Sequence, residues 1–198
     1  MSLTTVVVLV VIAAAALYVV TLYNRLVTLR ARYRNAFAQI EVQLKRRYDL
    51  IPNLVETARA YLAHERETLE AVTAARAGAV AGLGAAAAHP GDAAALEQLA
   101  TAEGALRQSL GRLNVTMEAY PDLKASENMQ QLSEELSSTE NRVAFARQAY
   151  NDAVMEYNTY RQSFPPVVFA NTFGHGEDAA LLTFEEGQAL QQAPRVSF

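Results

Sequence analysis

The sequence predicts an all-α fold: an N-terminal transmembrane helix that runs without a break into a long antiparallel, up-down helical bundle of four helices with coiled-coil-like packing. Three observations predict it. Residues 3–24 carry no charge. Beyond them, apolar residues recur in alternating steps of three and four, the spacing of one helix face. Strand-like alternation is nearly absent, and Gly and Pro gather at a few places where helices would turn.

The first element is the run LTTVVVLVVIAAAALYVVTLYN. About 20 apolar residues, rising about 1.5 Å each, cross a hydrocarbon core of about 30 Å. The next four charges are Arg25, Arg30, Arg32 and Arg34, and no acid appears until Glu41. Positive charge of this kind flanks the cytoplasmic end of a span. The expected organisation is a short external N-terminus (1–3), a transmembrane helix (4–24), a cytoplasmic helical bundle (25–164) and an irregular or partly disordered C-terminal tail (165–198). The expected location is the inner (cytoplasmic) membrane, crossed once. A cleaved secretory signal is the competing reading. It fits less well, because Met1, Ser2 and Leu3 are neutral where a signal is basic, and because the apolar run is longer than a signal core.

Leu26, Arg30, Tyr33, Phe37, Ile40 and Leu44 then form one helical stripe. No Gly or Pro separates them from the span, so one helix is expected from about 4 to 48, roughly 65 Å long. Asp49 offers an N-cap and Pro52 a first-turn proline for a second helix. That helix carries Leu54, Ala58, Tyr61, Leu62, Leu69 and Val72, and fades into AGAVAGLGAAAAHPGD, expected as the distal turn. Asp92 caps a third helix with Leu96, Leu99, Leu106, Leu110, Leu113 and Met117, which Tyr120-Pro121-Asp122 breaks. The fourth carries Leu132, Leu136, Thr139, Val143, Ala146, Tyr150, Val154, Tyr157, Arg161 and Phe164, and Pro165-Pro166 ends it. Gly104 and Gly111 sit one heptad apart, which reads as a close helix approach or as chance. Asn151 and Asn158, each after a tyrosine and one heptad apart, read as register-setting residues.

Composition narrows the function. A formal net charge of −4 argues against nucleic acid as a partner. The absence of cysteine excludes disulfides, thiolate metal sites and cysteine nucleophiles. His64, His89 and His175 lack a glutamate three residues before them, so no di-iron Glu-x-x-His motif exists. Gly82-Leu83-Gly84-Ala85-Ala86-Ala87 fits a loose dinucleotide fingerprint, but a helix rather than a strand precedes it. No catalytic residue, cofactor or metal ligand is expected, and the chain is expected not to be an enzyme. Arg25, Arg30, Arg32 and Arg34 are the membrane-flanking residues, and each attracts anionic lipid by about 1 kcal/mol near the surface.

Several strings resemble the LemA family of bacterial membrane proteins. They are Tyr23-Asn24-Arg25-Leu26-Val27, the run from Ile40 to Val55 (IEVQLKRRYDLIPNLV), Tyr120-Pro121-Asp122-Leu123-Lys124, Thr139-Glu140-Asn141-Arg142-Val143-Ala144, and the pairs Tyr150-Asn151 and Tyr157-Asn158. The resemblance covers roughly residues 18–170 and departs mildly at Ser126 and Met129. It implies a short external N-terminus, one transmembrane helix and a cytoplasmic helical domain. It brings no catalytic residues with it.

The function these features predict is structural: a membrane-anchored scaffold that self-associates through its long helices and organises or shapes membrane. Leu26, Tyr33 and Phe37 are the expected self-association surface, because a post near the membrane would leave them uncovered for a second copy. The alternative is an adaptor or regulator that binds another membrane protein, such as a protease or transporter.

Overall fold

The computed structural model describes residues 2–62 and 64–184. Those residues form six helices: α1 (Leu3–Arg59), α2 (Arg66–Ala88), α3 (Ala93–Met117), α4 (Pro121–Lys124), α5 (Glu127–Gln162) and α6 (Pro166–Ala170). No strand occurs among them. Met1 of the expected external terminus and residues 185–198 of the expected tail lie outside the described residues.

α1 is a single helix of 57 residues. Ser2 caps it by accepting the Thr5 N–H at 3.3 Å. Residues 3–18 are exposed on every side, in keeping with a run that has no polar face. From Leu22 the same helix becomes one-sided: Leu26, Leu29, Tyr33, Phe37, Ile40, Leu44, Tyr48, Ile51, Val55 and Ala58 are buried at helical spacing.

The helix does not stop near 48 as expected, and Asp49 caps nothing. Pro52 lies inside α1. A proline there leaves the carbonyl four residues earlier without its N–H partner. That carbonyl belongs to Tyr48, and it accepts instead from Arg76 Nε of α2 at 2.6 Å. An arginine on a neighbouring helix thus supplies the missing donor and lets α1 continue.

The chain first reverses between α1 and α2, so α2 runs back toward the start of the body. The Gly/Ala/Pro segment is therefore not distal. Its turn lies beside Tyr33: Gly91 has φ +96°, and a Cβ there would sit 3.3 Å from the Tyr33 ring. Asp92 caps α3 as expected, accepting the Ala95 N–H at 2.8 Å. α2 and α3 approach tightly at Gly82, where a Cβ would meet Leu99 Cα at 3.3 Å. Gly104 and Gly111 face open space, so the close-approach reading of that pair does not hold.

α1 packs against α5 and α2, and α2 packs against α3. The α1–α5 seam is aromatic: Phe37 and Tyr150 meet edge-on at 5.6 Å between centroids, and Tyr33 lies 5.2 Å from Tyr157. Between α3 and α5 runs the tail. Residues 171–184 have no regular secondary structure, yet Leu182 is fully buried, and Ala180 donates its N–H to Gly91 O at 2.9 Å. Ala180, Leu181 and Thr183 line a groove with Leu96, Ala100 and Gly104 of α3.

This packing overturns the expected self-association surface. Leu26 is 0%, Tyr33 4% and Phe37 1% exposed. α5 covers Tyr33 and Phe37 with Tyr150 and Tyr157. The chain's own fourth long helix reaches the level where a second copy was expected. Phe164 departs from its expected place in the opposite sense: it lies just beyond α5 and is 83% exposed.

Candidate functional site

The end of the body beside the apolar segment gathers most of the polar chemistry. α5 presents Asn151 and Asn158 seven residues apart on one face. Asn158 donates from Nδ2 to Ala179 O and accepts the Ala179 N–H, both at 2.9 Å. Asn151 treats Leu182 the same way, at 3.1 and 2.9 Å. A side-chain amide offers one donor and one acceptor, the pair that an extended backbone presents. The spacing matches as well. Seven helical residues rise about 10.5 Å, and three extended residues span about 10 Å. Between the two, the Tyr150 hydroxyl donates to Ala180 O at 2.8 Å. The asparagines do set register, but of the tail on α5 rather than of one helix on another.

Farther down α5, Arg161 and Gln162 grip Asp178. Burial pushes the Asp178 carboxyl up, but hydrogen bonds from Gln162 and Arg161, with the Arg161 charge, hold it below its usual range. His175 is buried and shares a hydrogen bond between its Nδ1 and the Tyr157 hydroxyl at 3.0 Å. Burial first, and the Arg30 charge second, keep this imidazole below its ordinary pKa, so it is neutral at pH 7.

The four arginines divide by role. Arg25 and Arg32, one heptad apart on α1, share Glu156 of α5 at 2.7 and 3.3 Å, and about half of each side chain stays exposed. Arg30 reaches Gly174 O at 3.5 Å, while its Nε is buried with no hydrogen-bond partner. Arg30 and Arg34 border a recess of about 500 Å³ with His89, Asp92, His175 and Asp178. Charges of both signs line it. Among the described residues no cluster of His, Asp and Glu has the makings of a metal site.

Sequence reasoning missed a second polar centre, midway along α1. Arg47, 3% exposed, donates from Nη1 to Glu103 of α3 at 2.9 Å and from Nη2 to Glu140 of α5 at 3.0 Å. The Tyr48 hydroxyl donates to the other oxygen of Glu103 at 2.5 Å. Burial, then the Glu103 charge and hydrogen bond, push the Tyr48 phenol far above its usual pKa. The signal was present in the pattern. Glu103 falls midway between Leu99 and Leu106, on the face that α3 buries. A carboxylate at a core position requires a cation or a donor facing it.

The family model described as the LemA family matches residues 36–198. The magnetosome protein MamQ of Magnetospirillum gryphiswaldense is 26% identical over 158 residues, which is 72% of this chain. The magnetosome proteins MamQ 1 and MamQ 2 of Paramagnetospirillum magneticum are each 27% identical over 158 residues, again 72% of this chain. The chain spans 58% of the length of these curated relatives. With the exposed apolar end of α1, these likenesses mark a membrane-associated protein. The family match takes in the later part of α1, from residue 36, together with every later helix and the tail, and the chain belongs to the LemA family.

Proposed function

We propose that this chain is a non-enzymatic structural protein of the bacterial inner membrane, anchored once by residues 4–24 with its N-terminus outside. Its cytoplasmic body is an antiparallel up-down arrangement of α1, α2, α3 and α5, with the tail laid along α5. The observation that carries this reading is α1 itself. One unbroken helix holds both the apolar run, exposed on every side, and the buried stripe around which the body is built. Arg25, Arg30, Arg32 and Arg34 fix the orientation and meet anionic lipid. The buried Arg47, Glu103 and His175 each join one element to another, which supports a structural role. A reporter active only outside the cytoplasm, fused after Phe198, is expected to stay silent; strong activity would overturn the topology.

The scaffold self-associates. Leu26, Tyr33 and Phe37 are covered, so contacts between copies fall to the outward faces, where Val42, Val115 and Phe145 are each more than half exposed. A second reading, an adaptor for another membrane protein, draws on the tail clamp. Asn151 and Asn158 bind backbone and not side chains, so another extended segment could take the place of residues 179–182. The mass of the detergent-solubilised particle separates the two. Several copies without another protein support the scaffold. A mass that stays at one chain, 21.6 kDa, across a wide concentration range removes it and leaves the adaptor.

A further inference from the structure

We propose that the turn through Phe164 and helix α6 is a second membrane contact, an apolar wedge seated at the headgroup–acyl boundary beside the α1 span. The inference rests on the reading that α1 crosses the bilayer.

Height comes first. α5 runs antiparallel to α1, with Glu156 beside both Arg25 and Arg32. Its last six residues carry the chain about 9 Å farther in the same direction, to Gln162. The turn that holds Phe164 therefore starts level with the end of the uncharged run that closes at Asn24. Interfacial segments sink about 5–10 Å into the headgroup–acyl boundary. The return leg agrees, since Phe173 meets Tyr23 edge-on at 5.3 Å.

Composition comes second. Residues 162–176 contain no Asp, Glu, Lys or Arg, the longest such stretch after the anchor itself apart from the Ala/Gly run that closes α2. α6 turns Pro166 and Ala170 inward, four residues apart, and leaves Val167 and Val168 outward. Phe164 is 83%, Val168 61% and Val167 46% exposed. A contiguous apolar patch of this kind on a soluble surface calls for a partner.

The backbone also suits a site poor in water. Pro165 and Pro166 have no N–H, Val167 N donates to Ser163 O at 2.9 Å, and Val168 N donates to Pro165 O at 3.2 Å. In lipid, open backbone donors are costly, and these residues present none. Continuity with the apolar segment of α1 selects the bilayer as the occupant over another protein.

The chain has no cysteine, so single-cysteine labelling is clean. Full-length Phe164→Cys, Val168→Cys, Phe145→Cys and Val10→Cys, each at an exposed position, would carry an environment-sensitive fluorophore. Each would be reconstituted in phosphatidylcholine–phosphatidylglycerol vesicles containing nitroxide lipid. Fluorophores at Phe164 and Val168 are expected to be quenched several-fold more strongly by shallow nitroxide lipid than at Phe145, and to be shielded from aqueous iodide. Quenching at Phe164 and Val168 by iodide, as at Phe145, would overturn the wedge. Shielding from both quenchers would also overturn it, because protein and not lipid would then cover the patch. Quenching by lipid that is equal at all four positions would overturn it too, since depth would not distinguish the turn. Val10 keeps the two readings separate: quenching there by deep nitroxide without quenching at Val168 removes the wedge alone, whereas no quenching at Val10 removes the span.

Discussion

Two polar devices sit at two heights along α5, and they are built from different chemistry. Midway along α1, charges join three helices: the buried Arg47 from α1 and Glu103 from α3, and the half-exposed Glu140 from α5. Nearer the apolar segment, neutral amides join one helix to an extended chain: Asn151 and Asn158 to residues 179–182. Buried ions are costly to leave unpaired, so the upper device ties global folding to one arrangement of helices. Amide pairs are individually modest, so the segment held by the lower device is expected to open before the rest unfolds.

Breaking the upper device has the largest expected effect. Glu103→Ala leaves the Tyr48 hydroxyl without its acceptor and Arg47 with Glu140 alone. The expected cost is about 3–5 kcal/mol, read as a lower denaturation midpoint across the whole molecule. Combining Arg47→Met, Glu103→Leu and Tyr48→Phe should recover most of that loss, because no buried charge remains. A triple variant as unstable as Glu103→Ala would mean that packing and not charge pairing dominates there.

Asn158→Ala or Asn151→Ala should cost about 1–3 kcal/mol each, because a backbone donor and acceptor in the tail lose their partners. Hydrogen exchange sharpens the comparison. The amides of Ala179 and Leu182 should lose protection while those of the α1 stripe keep it. Equal loss in both places would show that tail and helices form one cooperative unit.

Acid should loosen the lower device before the upper one. Folding lowers the His175 pKa, so the unfolded chain binds more protons below the ordinary histidine value of about 6.5. The stability this residue contributes is therefore present above about pH 6.5 and falls as pH drops through that range. Protonation turns both ring nitrogens into donors and places a second cation beside Arg30. His175→Phe should flatten the dependence of stability on pH between about 5 and 7; an unchanged slope would assign it to other groups.

The smallest effect belongs to Arg25→Gln and Arg32→Gln. Both pairs with Glu156 are half exposed, and such pairs are worth at most about 1 kcal/mol. Melting should barely move, and Arg25→Gln and Arg32→Gln together should move it no more than the sum of the two.

Much of this fold was legible because helical spacing is a local property. The stripes on α1, α3 and α5, the Asp92 cap and the stop near Pro165 all follow from residues within a turn or two of one another. What the pattern hid depends on partners far away in the chain. Pro52 reads as a helix start until Arg76 is seen to serve the Tyr48 carbonyl. Leu26, Tyr33 and Phe37 read as uncovered until α5 is seen to reach them. Asn151 and Asn158 read as register residues, but nothing near them in sequence says that the matched chain is the tail. Glu103 alone left a usable sign, a charge on a leucine face, and its partners still lay 55 and 56 residues away.

The continuity of α1 has a mechanical consequence. From Asn24 to Arg59 the helix is a stiff arm about 50 Å long. A change in bilayer thickness that tilts the apolar segment by about 10° would swing its far end by about 9 Å, since hydrophobic mismatch is relieved by tilt. With the span and orientation proposed above, a molecule built on such an arm converts the local thickness of a membrane into a displacement well inside the cell.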